Sequence, residues 1–388
     1  TTAATEPDTV TGQRELVWGD QRPGPHTGPA TQLLVGLADD HGRRITLDTN
    51  SALRAAGSLY SLFGQKIAVD LGTSSPGGVQ GKRIAQAIVP LGAAATSDTQ
   101  GTLAVTGPQR WVSILCKFGD DDSEPNPLAY FTGMYANQSP RLDHYWREVS
   151  YAKINIAGST AYGWFTLPHP RSHYISDNHA DLDKLLDDCT AAADPVVDFS
   201  QFVGINQMFN GNLDGYAWGG SKYRALDGPY RVWRVTWQPP WSYHNLAPLA
   251  HEMGHGFGLP HANNSDGDND PYDNPWDVMS DAWDNATHDS AYGTLPKHLN
   301  IWSRDHLGWI DNADKLLIGN FGEWPSVALD FAELANVAGV REIEILVPGA
   351  PSSEPWTIEA RPRSGIYDGD LAATAVTVHS AEPRRPEP

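Results

Sequence analysis

Cysteine is almost missing from this chain: Cys116 and Cys189 are the two among 388 residues. Neither stands in C-x-x-C or zinc-finger spacing, which argues against a sulfur-ligated metal. Such a pair fits one disulfide in an oxidising compartment or two buried thiols, and with so few competing partners the disulfide is the expectation. Positive charge is also scarce, with 27 Lys and Arg against 47 Asp and Glu and a formal net charge of −20. Nucleic acid and anionic membrane surfaces need cationic faces, so neither is an expected partner. No run of about 18 apolar residues occurs, which leaves nothing to span a bilayer. The polar opening, residues 1–7, carries no signal-peptide pattern, and the expectation is a processed, secreted protein. No internal repeat at a fixed period is present.

What remains is foldable material. Hydrophobic residues make up 40% of the chain and Trp numbers 14, enough apolar surface for more than one core at this length. Residues 1–30, with their Gly, Pro and polar side chains, are expected to wander before the first fold. Short apolar runs at 33–37, 44–47, 66–71 and 83–89, separated by Gly and Asp turn signals, predict a small β-barrel. The oligonucleotide/oligosaccharide-binding type is the candidate. That segment has no cysteine, so it cannot plug a metal site with a thiolate. Residues 92–107, rich in Ala, Thr, Ser and Gly, read as a linker. From Trp111 onward, strands at 112–118, 153–157, 161–167, 202–209 and 230–237 alternate with helices at 139–151, 181–192 and 245–257. That pattern implies a mixed sheet with helices packed on it. Strand texture returns at 315–318, 326–329, 342–347, 356–359 and 375–378, and predicts a β-sandwich-like module. The expected fold class is α+β, with an N-terminal β domain and linker over 1–110, a central domain over 111–310, and a C-terminal β domain with a frayed tail over 311–388.

Residues 251–261 read His-Glu-Met-Gly-His-Gly-Phe-Gly-Leu-Pro-His and fit H-E-x-x-H-x-x-G-x-x-H at every fixed position. Imidazoles four apart on a helix project from one face and can grip a single cation, so His251 and His255 are candidate ligands. Gly258 can take the conformation that ends a helix, Pro260 forbids its continuation, and His261 then returns as a third nitrogen ligand. Three imidazoles and one open position describe a catalytic zinc site, since structural sites fill all four positions with protein. Glu252 stands where a carboxylate can take a proton from metal-activated water. By chance, the full pattern should arise on the order of 10⁻⁴ times in a chain of this composition.

With that signature the chain resembles the metzincins, a clan of zinc endopeptidases, and the resemblance implies a metzincin-like catalytic domain over 111–310. Residues 276–280, Trp-Asp-Val-Met-Ser, resemble the clan's Met-turn, which implies that Met279 forms an apolar floor beneath the ligands. Within the clan the chain is most similar to the gametolysin and immune-inhibitor-A-like secreted proteases. That similarity rests on 145–151, 163–168, 276–283, 306–310, 358–361 and 365–368. The immune-inhibitor branch tends to have Asp at the third ligand position, so His261 places the chain nearer gametolysin there. Several metzincins carry a Tyr two residues after the Met-turn methionine; here Asp281 stands there, which leaves the oxyanion partner unassigned, with Tyr292, His288 and Tyr243 as candidates.

The expected activity is hydrolysis of peptide bonds in extracellular proteins or glycoproteins by a monomer carrying one Zn²⁺. Extended substrates of such enzymes lie antiparallel to an edge strand, and residues 230–237 are the candidate edge, with an internal strand an equal reading of the same pattern. Asp266, Asp268 and Asp270 alternate as in a calcium loop, with Asp277 at the twelfth position. Against a calcium site, Pro271 replaces the turn glycine, and a solvated loop is the competing reading. Two other functions compete: a zinc-dependent amidase or deacetylase on glycans, and a non-enzymatic carbohydrate-binding or adhesion protein.

Overall fold

A 14-residue strand, β1 (Asp8–Gln21), joins the first two parts of the molecule. It belongs to a computed structural model that describes residues 8–22, 31–56, 62, 65–72, 82–91, 104–266, 270–319, 326–334, 339–347 and 355–380. β1 pairs antiparallel with β2 (Thr31–Ala38), and β2 with β3 (Arg44–Leu47). After a short helix, α1 (Thr49–Ala56), come the paired strands β4 (Lys66–Leu71) and β5 (Ala85–Pro90), and β4 pairs with β1 from Asp8 to Gln13. A parallel bridge between Leu47 and Arg83, just before β5, closes the ring in the order β1-β2-β3-β5-β4. Leu16, Trp18, Val35, Leu37, Ile67 and Val69 fill this five-stranded barrel.

The expectation that the first thirty residues wander is corrected by β1. Its sequence hides the strand because buried positions carry polar groups as well as apolar ones: Arg14, Glu15, Asp20 and Gln21 are all under 10% exposed. Their partners come from distant residues. Glu15 accepts from the Tyr223 backbone N–H at 2.7 Å and pairs with Lys222 and Arg224, each at 3.1 Å. No local periodicity reports such pairing.

The central domain is built on β6 (Trp111–Lys117), β7 (Thr160–Thr166), β8 (Gly204–Phe209), β9 (Tyr216–Arg224) and β10 (Arg231–Gln238). Their order is β9-β10-β8-β6-β7, parallel except for β9. β6 and β8 are covered on both faces; β6 reads as a nearly continuous apolar run, whereas β8 also buries Asn206 and Gln207. On one face lies α4 (Leu182–Ala193), packing Leu185, Leu186 and Cys189 with Ile114, Ile205 and Val235. On the other lies α5 (Leu246–Phe257), packing Leu249, Ala250 and Met253 with Leu115 and Met208. Two helices before α4, α2 (Leu128–Met134) and α3 (Leu142–Val149), extend that second core. Cys116 on β6 and Cys189 on α4 are joined as a disulfide with Cα atoms 6.1 Å apart.

Residues 230–237 do not form the edge. β10 lies between β9 and β8, and β9, which has no strand-like pattern, forms the margin of the central sheet. Gly219 and Gly220 explain its poor pattern. A side chain at Gly219 would collide with the Glu252 backbone, and one at Gly220 would strike the Leu16 carbonyl of β1. Val17–Gln21 pairs antiparallel with Gly220–Tyr216, so barrel and central domain share one continuous ten-stranded sheet.

After α6 (Ile301–His306) the C-terminal part forms β11 (Lys315–Ile318), β12 (Glu342–Ile345), β13 (Trp356–Arg361) and β14 (Ala375–Ser380) in that order. Among the described residues this is a single four-stranded sheet backed by α6, not a sandwich, and residues 326–329 contribute only the bridge of Leu329 to Val340. Buried Arg361 ties the sheet to the central domain by donating to the Trp276 carbonyl at 3.0 Å and pairing with Asp368 at 2.7 Å. Among the described residues, no helix is long and apolar enough to cross a membrane.

Candidate metal centre

All twelve residues of α5 are buried, so the helix is held by packing on every side. His251 and His255 leave it one turn apart. The helix stops at Gly258, whose φ of +98° is left-handed; its N–H donates to the His255 carbonyl at 2.9 Å, and Leu259 N–H donates to Gly254 at 3.1 Å. A side chain is strained in that conformation, which accounts for glycine here. The reversed chain then delivers His261, fully buried, opposite the other two rings.

A tight turn at residues 277–280 supports the cluster from below. Ser280 N–H donates to the Asp277 carbonyl at 3.1 Å, and the Asp277 carboxylate accepts from Met279 N–H at 2.7 Å. The Met279 thioether lies against Gly254 so closely that any Cβ there would overlap it. The same turn orients a ligand, because the Val278 carbonyl lies 2.7 Å from His251 Nδ1. The Leu259 carbonyl does the same for His255 Nδ1 at 2.7 Å. With both Nδ1 positions donating to carbonyls, the rings in their neutral form present Nε2 lone pairs to each other across 3.1 Å. Lone pairs at that distance repel unless a proton or a cation lies between them.

A fourth donor comes from the far end of β1. Asp20 Oδ1 lies 2.8 Å from His261 Nε2, and Oδ2 lies 3.3 Å from Nε2 of both His251 and His255. One ligand atom from each of these four residues lies within 4.8 Å of the others. Three imidazole nitrogens and a carboxylate oxygen suit a first-row divalent cation in four-coordinate geometry. Burial opposes ionisation of Asp20, but His261 and His251 outweigh it and hold its carboxyl well below the usual range. Burial drives His255 down to about 3, a neutral ring suited to ligation.

Around this set stand three further groups. Glu252 is 1% exposed with Oε2 unpartnered, and burial, then the charge of Asp20, push its carboxyl well above the usual range. The Tyr272 hydroxyl donates to Asp20 Oδ1 at 2.8 Å. Trp18 of β1 stacks on His255 with ring centroids 4.7 Å apart and planes 6° from parallel. Asp20, Trp18 and Tyr272 carry no signal in the sequence: the first two lie in a segment without strand periodicity, and the third in a polar loop. A cavity of about 260 Å³ beside His261 is walled by Asn264, Trp276 and Trp302, and by Thr377–Ser380 of β14, so the C-terminal sheet borders the site.

Several candidates lie elsewhere. Asp281 pairs with Lys297 at 2.9 Å. Tyr243 donates to the Phe209 carbonyl at 3.0 Å, Tyr292 bonds with Arg141, and His288 is exposed, so none of the three meets the imidazole cluster. Asp266 is exposed and Asp268 lies outside the described residues. Asp277 is buried and accepts from the Met279 and Asn300 N–H groups within the turn. Among the described residues, Asp266 and Asp270 join no grouping of three possible ligands. No family model matches this chain, and no curated protein matches it.

Proposed function

We propose that this protein is a secreted zinc-dependent endopeptidase of metzincin type, acting on extracellular proteins or glycoproteins. The observation that carries the proposal is the convergence of His251, His255 and His261 Nε2 on one point, with the unpartnered Oε2 of Glu252 beside it. His251, His255 and His261 would hold a zinc ion, which would supply Lewis acidity and activate a water molecule near neutral pH. Glu252 takes the proton from the attacking water and returns it to the leaving amine. Tyr272, whose hydroxyl already reaches an oxygen at the fourth position, donates to the oxyanion. The Met279 turn keeps the His251 ring in its tautomer and the floor dry. Extended substrate pairs with β9 in the place that Val17–Gln21 of β1 takes in this structure, where Gly219 lets the backbone run against Glu252.

The test is digestion of casein or gelatin with and without a zinc chelator, by an Asp20→Asn chain with Glu252 intact or changed to Ala. Glu252→Ala should lower the rate by about 10²–10⁴ while zinc content stays at one per chain. Activity that survives this change, or that ignores the chelator, would remove the mechanism.

A further inference from the structure

Glu342 on β12 is fully buried, yet neither of its carboxylate oxygens has a hydrogen-bond partner. An isolated carboxylate is costly there, since buried charges are ordinarily paired or bound to a metal. The strand around it reads Glu-Ile-Glu-Ile, an alternation that should send the glutamates to water and the isoleucines inward. Here Glu342 is buried while Ile345 is only half-buried, because the glutamate side of β12 meets α6. Asp305 of α6 brings a third carboxylate, and one oxygen from each of Asp305, Glu342 and Glu344 lies within 4.8 Å of the others. We propose that these three carboxylates form a calcium site that clamps α6 to the C-terminal sheet. The proposal does not depend on the peptidase function.

Every donor in this group is a carboxylate oxygen, which selects a hard cation rather than zinc. Calcium takes roughly six to eight oxygens in irregular geometry, and each carboxylate supplies one or two of them. Asp305 and Glu344 are partly exposed, so water completes the shell and the ion has a way in. Magnesium needs stricter octahedral geometry and sheds its waters reluctantly, a poor match to carboxylates fixed on a helix and a strand. Lys315 on β11 is the competitor. Its ammonium pairs with Asp305 and, at 3.4 Å, with Glu344, but leaves Glu342 without a partner. One ammonium against three ionised carboxylates leaves two negative charges, which one calcium ion balances. Without an ion, burial and then the charge of Asp305 raise the Glu342 carboxyl to about 9, so the competing state is the neutral acid. A flexible stem lets Lys315 turn toward water when the ion arrives. The clamp reaches the imidazole cluster through the start of α6, where Asn300 N–H donates to the Asp277 carboxylate at 2.9 Å.

The experiment uses the full chain, dialysed free of calcium and supplied with equimolar zinc, as wild type, Glu342→Gln, Lys315→Met and Asp266→Asn/Asp270→Asn. Calcium uptake is measured by equilibrium dialysis and Tm by calorimetry with calcium or magnesium chloride added, and circular dichroism confirms each fold. Wild type should bind one calcium ion per chain, with a Tm that climbs as calcium is added and moves less with magnesium. Glu342→Gln, which mimics the neutral acid, should keep its fold and bind calcium about 10-fold or more weakly, since affinity follows ligand charge. Lys315→Met removes the competing cation and should bind calcium about 10-fold more tightly. The Asp266→Asn/Asp270→Asn chain should bind as wild type does. Equal calcium affinity in wild type, Glu342→Gln and Lys315→Met would overturn the site, and so would no uptake by wild type and Lys315→Met. Uptake that is lost in Asp266→Asn/Asp270→Asn would place the ion in that loop and overturn the proposal, and an equal Tm response to magnesium would overturn the choice of calcium.

Discussion

In the proposed mechanism five side chains carry the chemistry: His251, His255, His261, Glu252 and Tyr272. His251 and His255 have their Nδ1 atoms 2.7 Å from backbone carbonyls, so ring orientation is set before any metal arrives. Tyr272 holds its hydroxyl within 2.8 Å of the Asp20 carboxylate, where the oxygen of a scissile carbonyl would lie once Asp20 has left. In the Asp20→Asn background, Tyr272→Phe should lower kcat by about 10²–10³ with KM little changed. Steady-state kinetics on a quenched peptide check this, and an unchanged kcat would take Tyr272 out of the mechanism. The three clustered imidazoles and Glu252 were legible at this scale because they share one eleven-residue stretch. Asp20 lies 231 positions before His251 in the numbering, in a chain with 47 acidic residues, and nothing local marks it.

Among the elements, α5 and the turn beneath it act as a unit. Gly254 is the point of contact, because the Met279 thioether occupies the space a side chain would need. Gly254→Val should cost about 1–3 kcal/mol through overpacking and loosen the metal site by pushing the turn away from His251. Thermal unfolding and zinc affinity both report it, and a variant with wild-type values in each would show that the turn does not brace the ligands. β6 was readable from its run of Val, Ile and Leu, and β8 from the Ile, Met and Phe that flank its buried Asn206 and Gln207. β1 and β9 were not. Their burial depends on each other: Glu15 needs Lys222 and Arg224, and the glycines of β9 exist so that the β1 backbone and Glu252 can come close. Choosing β10 as the edge followed from missing β9, since the strand beyond it was invisible.

For the whole molecule, the C-terminal sheet is docked by a buried charge network beside the metal turn. His298 lies between Asp368 at 3.3 Å and Glu148 at 3.1 Å, and Arg361 reaches both Asp368 and the Trp276 carbonyl. Burial disfavours protonation of His298, but Asp368 and Glu148 outweigh it and raise the ring above its ordinary value of 6.5. A raised folded-state value means that this stabilisation is complete below about 6.5 and is lost as pH climbs through the folded value. Tm should therefore fall between pH 6 and pH 9, and His298→Gln should flatten that slope; an identical slope in the variant would contradict the assignment. The single C-terminal sheet differs from the expected sandwich for a related reason. Its second layer is α6 and the central domain, not more strands, and a strand pattern alone does not say what a sheet packs against.

The central claim is that three imidazoles hold one zinc ion, and metal analysis of the purified chain tests it most directly. Zinc content by elemental mass spectrometry, with X-ray absorption for the ligands, should give one zinc per wild-type chain bound by three imidazole nitrogens and an oxygen. It should fall to near zero in His251→Ala/His255→Ala. A chain without zinc after equilibration with excess metal, or a double variant that retains it, would contradict the account.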